Sequence, residues 1–321
     1  MRALQVTRLD GPRAVEVNDV PEPLPGPGDV VVEVKVVGVS FPDLLLSRGE
    51  YQMKPDLPFE LGVDFAGVVR AAPQDSGFSS GDRVACVLPW GGAAEVVALG
   101  ADSVFPLPDR LSFEAGAAVP LNYLTAQFAL ATRAGLRSGE TVLVHGAAGG
   151  VGTATIQVAK GYGARTVAVV STQEKAEVAR AAGAEEVVLV DGFAAAVKDL
   201  TGGRGVDVVM DVVGGDLMTD SLRSLAPLGR LLVVGFTGGS IPEVRVNRLL
   251  LHNIDVRGVG WGAYAMARPG FMRRQWDELL PMMESGVVDP PVGRTYPLEG
   301  MGAALVDLAE RRTVGKSVVL L

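Results

Sequence analysis

Residues 142–160, VLVHGAAGGVGTATIQVAK, decide the fold. An apolar run ends at His145. Five of the six residues 147–152 are then small, and a helical pattern opens behind them. Read as G-x-G-x-x-G, the register is Ala147, Gly149 and Gly152, with Gly146 and Gly150 as extra glycines. One small residue permits a tight turn, one lets the backbone approach a pyrophosphate, and one lets the helix pack close on the strand. The helix N-terminus adds unpaired N–H groups and a partial positive charge. Ala148, Gly149, Gly150, Val151 and Gly152 are therefore expected to line a dinucleotide's phosphates. A tight strand–helix turn without a ligand is the bland alternative.

Outward from that turn the chain alternates strand and helix. The apolar strands RTVAVV, EVVLV, VDVVMDVV and GRLLVVG are separated by helical stretches such as QEKAEVARAAGA and FAAAVKDL. Near-continuous Val/Leu strands between helices predict a doubly wound parallel sheet, an α/β domain. Before it, SFEAGAAVPLNYLTAQFALATRAG predicts one helix, capped by Ser112 and stopped at Gly135. The first hundred residues carry short β runs, among them VVVEVKVVGV (30–39) and DRVACVL (82–88), with Gly/Pro punctuation. They predict a small, mostly β domain.

The cofactor is read at the end of the second parallel strand. An NAD site would place Asp or Glu there, on the ribose 2′-OH. Here Ser171 and Thr172 follow the strand and Lys175 lies one turn into the next helix. Hydroxyls and a cation suit a 2′-phosphate, so NADPH is expected over NADH. In the alternative, Ser171 is only a helix cap and Lys175 a solvated cation.

Bulk composition narrows the function classes. The 321 residues are enough for two domains. A net charge of −8 with no basic tract argues against nucleic acid as a partner. The apolar runs are broken before they could cross a bilayer, and the charged N-terminal stretch lacks a signal-peptide core, so a soluble cytoplasmic protein is expected. One cysteine, Cys86, excludes an internal disulfide, and two histidines, His145 and His252, leave little to ligate zinc.

The segments FPDLLLSRGEY, PFELGVDFAGVV, GDRVACVLPWGGAAEVV, LTAQFAL, HGAAGGVG and VGKSVVLL stand in an order and spacing that resemble the zinc-free medium-chain dehydrogenase/reductases, in the quinone oxidoreductase (zeta-crystallin-like) branch. The resemblance implies a GroES-like β domain over 1–117, with 265–321 returning to it, around a Rossmann domain at 118–264, and an active site in the cleft between them. It places Asn122 and Thr125 near the nicotinamide, Gly235 and Phe236 over its ribose, and Gly214 on the adenosine side. Lys316 reaches the cleft or is a surface cation. A strand like 253–261 extends the sheet across a homodimer, with Trp261 and Tyr264 at the interface.

Zinc relatives carry metal ligands at the positions of Ser40 and Val63, so no metal is expected. The family's Asn and Tyr are replaced here by Ser40 and Leu45; Tyr51 remains. Ser40 and Tyr51 are the candidate catalytic residues, although Tyr51 also reads as a packing aromatic. Asp43 and Arg48 read as structural. The third parallel strand ends in Val190 and Asp191, where the family often has a Tyr, and Asp191 could oppose a 2′-phosphate.

Without a metal to acidify a bound oxygen, the accessible reaction is hydride transfer to a conjugated acceptor. A quinone leaves a phenolate-like anion, with a pKa near the phenol value of about 10, that water can protonate. Activated alkenes, including enones and enoyl thioesters, are the enzymatic alternative, which a basic patch from Arg268, Arg273 and Arg274 would favour. A catalytically weak NADPH-binding sensor or scaffold is the other.

Overall fold

The computed structural model describes all 321 residues. They fall into two compact units: Met1–Leu121 with Pro269–Met283 and Pro290–Leu321, and Asn122–Arg268 with Glu284–Asp289. The crossings thus fall a few residues beyond the 117/118 and 264/265 expected from the resemblance, and residues 284–289 return once more to the second unit. No helix is long and apolar enough to cross a membrane.

The second unit is a Rossmann domain. Its six strands are all parallel, in the order Glu186–Leu189, Arg165–Val170, Thr141–His145, Val206–Asp211, Leu225–Val233, Asp255–Gly258. That is strand order 3-2-1-4-5-6, with the chain reversing direction across the sheet beside the glycine turn. Both central strands, Thr141–His145 and Val206–Asp211, are buried at every residue, which is why they read as unbroken apolar runs. One face packs Leu143, Val167, Val169, Val209 and Leu231 against Phe193, Val197, Met218 and Leu222. Full burial of each large side chain contributes about 1.5–3 kcal/mol.

The first unit is GroES-like and antiparallel in the main. A seven-stranded sheet is built around Asp29–Gly38, which pairs with Asp64–Ala71, Val96–Gly100 and Lys316–Leu320. The C-terminal strand is thus internal to the sheet, between Asp29–Gly38 and Val292–Pro297. Trp276, on the helix Phe271–Glu284, stacks on Phe105 at 4.7 Å and donates its indole N–H to Pro106 O at 3.1 Å.

The expected helix over 112–135 is three pieces: Phe113–Gly116, Pro120–Gln127 and the π-helical Phe128–Ala134. Pro120 disfavours helical geometry at Val119 and supplies no N–H, so the chain restarts there. Both predicted ends are found. Ser112 Oγ accepts from Ala115 N at 3.2 Å, and Gly135 stops the run in the left-handed region with φ 61°.

Candidate cofactor and catalytic residues

The glycine turn has a different division of labour from the one read in the sequence. Gly146, with φ +61°, makes the tight turn, a conformation a residue with a Cβ rarely adopts. Ala147 is simply buried. A Cβ on Gly152 would stand 2.2 Å from Gly146 O, so this glycine is what lets the helix Gly150–Gly161 sit against the turn. A Cβ on Gly149 would meet only Gly146 O, at 3.4 Å, and one on Gly150 would strike the side-chain amide of Asn122 at 2.6 Å. Gly149, Gly150 and Val151 are half-buried, and no side chain caps this helix. Its first-turn N–H groups are therefore suited to a phosphate, and the residues fit a dinucleotide.

At the end of the second strand, the helix Gln173–Ala181 is capped by Thr172, whose Oγ1 accepts from Lys175 N at 3.2 Å. Ser171 is therefore not the cap. It is exposed, with its Oγ 3.4 Å from Lys175 Nζ, so a hydroxyl and an ammonium are presented side by side. Asp191 is exposed just beyond the third strand.

Two neighbouring strand ends assemble the next group. Gly214 has φ +70°, and a Cβ on it would lie 2.9 Å from the ring of Phe236, so Phe236 covers that loop. Gly235 directly precedes Phe236, and Thr237 N and Gly238 N donate to Val212 O and Val213 O. Asn122 and Thr125 are both buried, with the Asn122 amide against the head of the Gly150–Gly161 helix.

His145 has a role the sequence did not specify. Its Nε2 is 2.8 Å from Ser221 Oγ, and its ring meets Phe193 edge-on at 4.9 Å. The register of the parallel strands, carried one residue on from Met210↔Val144, sets Asp211 beside it. Ser221, His145 and Asp211 look like a hydrolase triad, but Ser221 is fully buried and its hydroxyl donates to Leu217 O at 2.8 Å. No nucleophile is offered. Burial pushes the imidazole down to about 4, against the opposing charge of Asp211, so His145 is neutral at ordinary pH. Asp211 Oδ1 accepts from Val213 N and Gly214 N, both at 2.9 Å, and so shapes the loop under Phe236.

In the GroES-like unit, Ser40 heads the short helix Phe41–Ser47 and its N–H donates to Asp43 Oδ2 at 3.0 Å. Its hydroxyl turns inward, donating to Asp64 Oδ1 at 2.8 Å and accepting from Lys316 Nζ at 2.6 Å. Lys316 also donates to both Asp64 oxygens, at 2.9 and 3.1 Å. Lys316 is 5% exposed, Ser40 3% and Asp64 0%. Of the two expectations for Lys316, the surface cation is corrected: the side chain is buried, and its ammonium is engaged by an internal carboxylate and hydroxyl.

Asp43 is fully buried and accepts from Gly62 N at 2.9 Å. Burial, reinforced by the charge of Asp64, raises its carboxyl to about 7 despite its two backbone donors and Lys316. Tyr51 is half-buried, its phenol pushed up first by burial and then by Asp43. The sequence reading missed Asp64. The signal was an acid opening an apolar strand, in GVDFAGVV, where an unpaired charge is costly.

Trp261, expected at an interface, is 3% exposed in the single chain. Tyr264 lies against Phe128 at 5.0 Å. Arg268, Arg273 and Arg274 each lie over a ring of their own, Tyr264, Phe78 and Phe271 respectively.

A phosphate-ready glycine turn in a Rossmann sheet, joined to a GroES-like unit, defines a two-domain nucleotide-dependent oxidoreductase. Residues 26–109 match the alcohol dehydrogenase GroES-like domain and residues 150–285 the family described as zinc-binding dehydrogenase. Quinone oxidoreductase-like protein 2 of Rattus norvegicus is 38% identical over 100% of this chain and 92% of its own length. A quinone oxidoreductase structure from Pseudomonas syringae superposes with TM-score 0.89 at 35% identity, covering 100% and 99% of the two chains. The quinone oxidoreductase of Thermus thermophilus, solved also in complex with NADPH, gives 0.86 at 36% identity over 100% of both. The chain belongs to the medium-chain dehydrogenase/reductase superfamily, in its quinone oxidoreductase branch, and is an oxidoreductase.

The zinc in one family description does not fit here. No group of three or more His, Cys, Asp or Glu side chains is arranged to hold a metal. Val63 has no donor atom, and the Lys316 ammonium beside Ser40 would repel a divalent cation.

Proposed function

We propose that the protein is an NADPH-dependent, zinc-independent oxidoreductase that transfers a hydride to a quinone. The observation that carries this reading is the Lys316 ammonium on Ser40, a fixed cation where zinc relatives have a metal ligand. A site built that way favours acceptors that need no Lewis acid. Quinones suit it because the anion they form is weakly basic.

NADPH is supported by the Ser171–Lys175 pair and by the NADPH complex of the Thermus thermophilus relative. When bound, the cofactor supplies the hydride. The turn Ala148–Gly152 would hold its phosphates, Gly235 and Phe236 would cover its nicotinamide ribose, Gly214 would lie on the adenosine side, and Asn122 and Thr125 would orient the nicotinamide. Ser40 contacts the acceptor, and Tyr51 lines its entry.

Enones and enoyl thioesters remain second. The three arginines proposed for a coenzyme A phosphate are each laid over an aromatic ring, which does not favour that reading. The protein works as a homodimer. Support comes from the sheet-edge strand Asp255–Gly258 and from Leu250 and Leu251, 77% and 70% exposed on the preceding helix.

An acceptor screen tests the function: kcat/KM for NADPH oxidation with a quinone, an enone and an enoyl thioester. The reading predicts that order of preference. NADPH binding with no turnover on any of them would make the protein a sensor or scaffold.

A further inference from the structure

We propose that Asp211 is a positioning residue for the cofactor: its Oδ1 oxygen holds the loop Val212–Gly214, and with it Phe236, in the binding conformation before the cofactor arrives. The proposal rests on the functional reading above, in which Gly214 and Phe236 lie against the cofactor. Every atom it uses belongs to the Rossmann unit.

The loop leaves the strand Val206–Asp211 beside the glycine turn. Asp211 Oδ1 accepts from Val213 N and from Gly214 N, both at 2.9 Å, so one oxygen fixes two consecutive N–H groups. The loop then touches functional backbone on two sides. Towards the glycine turn, a Cβ on Gly146 would lie 2.8 Å from Val212 Cγ2 and 3.4 Å from Val213 Cγ2. Towards the next strand end, Thr237 N and Thr237 Oγ1 donate to Val212 O at 3.1 and 3.0 Å, and Gly238 N donates to Val213 O at 2.8 Å. Phe236 directly precedes these anchors, with its ring 2.9 Å from where a Cβ on Gly214 would stand. The backbone that carries Phe236 is therefore hung from carbonyls that Asp211 sets.

The other oxygen shows that this aspartate is not placed for stability. Asp211 is 1% exposed, and its Oδ2 has no hydrogen-bond partner in the protein. His145, its neighbour on the paired strand, does not supply one. Ser221 gives its one hydroxyl hydrogen to Leu217 O, so it accepts from His145 Nε2–H. In the neutral ring Nδ1 is then an acceptor, and it too has no partner. Paired positions of two central strands thus hold two buried acceptors without a protein donor, which destabilises the fold. A local rule broken in this way is characteristic of a functional position.

The test reads NADPH affinity by calorimetry and amide hydrogen exchange by NMR, in the whole protein. In cofactor-free wild type, the amides of Val213 and Gly214 should already be protected. Asp211→Ala should release them and weaken NADPH roughly tenfold, in Kd and in KM, with kcat nearly unchanged, because a loose loop must be ordered at each binding event. Asp211→Asn keeps Oδ1 and turns the other atom into a donor. It should retain the protection and a Kd close to wild type, with Tm at or above the wild-type value. Phe236→Ala should weaken NADPH by itself, and adding Asp211→Ala to it should weaken NADPH little further, since both act through one ring.

Free exchange of the Val213 and Gly214 amides in cofactor-free wild type would overturn the proposal, and this arm needs no variant to fold. Wild-type NADPH affinity in Asp211→Ala, full additivity with Phe236→Ala, or equal loss in Asp211→Asn and Asp211→Ala would overturn it as well. Wild-type affinity in Phe236→Ala would instead overturn the cofactor reading of this loop, and the proposal with it.

Discussion

A Cβ on Gly152 would lie 2.2 Å from the carbonyl oxygen of Gly146, whereas one on Gly149 would meet that oxygen at 3.4 Å and nothing else. Two glycines three residues apart therefore do different jobs. Gly152→Ala is expected to damage the fold, because backbone must shift. Gly149 has φ −89° and ψ 175°, which any residue adopts, so Gly149→Val is expected to fold. Its branched side chain then stands where the phosphate must approach. Thermal melts should show a lower Tm for the first variant only, and calorimetry should show NADPH binding abolished in the second. Normal NADPH binding by Gly149→Val would remove the pyrophosphate from this turn.

Ser171 and Lys175 are proposed to set cofactor choice. A charge-assisted hydrogen bond contributes about 1.5–3 kcal/mol, or roughly ten- to a hundred-fold in affinity. Lys175→Ala should weaken NADPH by that factor and leave NADH nearly unchanged, read as the ratio of kcat/KM for the two cofactors. The exposed Asp191 is expected to keep the wild-type preference modest. Equal loss of both cofactors would mean that the lysine does not read the phosphate.

Asp43 and His145 oppose each other in their effect on stability. Asp43 is raised from 3.8 to about 7, so the folded state holds its proton more tightly, and the stabilisation present below the unfolded value is lost as pH rises from about 4 to 7. His145 is lowered from 6.5 to about 4, so its contribution is present above the unfolded value and lost as pH falls from about 6.5 to 4. Over the shared window the two slopes offset. Urea titrations between pH 4.5 and 6.5 should show Asp43→Asn gaining stability with pH relative to wild type, by up to about 1.4 kcal/mol per pH unit. A flat difference curve would mean that Asp43 is ionised throughout.

Leu250 and Leu251 test the assembly. Leu250→Glu/Leu251→Glu should leave the protein folded and monomeric by sedimentation. A variant that sediments like wild type would place the contact elsewhere.

What the sequence made legible was whatever depends on local pattern. The parallel strands, the glycine turn and the stop at Gly135 follow from apolar runs and small residues. The break at Pro120 was also written locally, but the apolar pattern continued across it and hid it. The cap at Thr172, instead of Ser171, turned on a one-residue choice between two hydroxyls. Lys316 and Ser40 are separated by more than 270 residues, and only the internal placement of the C-terminal strand brings them together. No spacing rule exposes that pair, nor the meeting of His145 with Ser221.

The central claim is metal-free hydride transfer from NADPH to a quinone. The direct measurement is the rate of NADPH oxidation with a quinone, before and after exhaustive chelation. The account predicts the same rate in both. Activity lost on chelation and restored by zinc would contradict it.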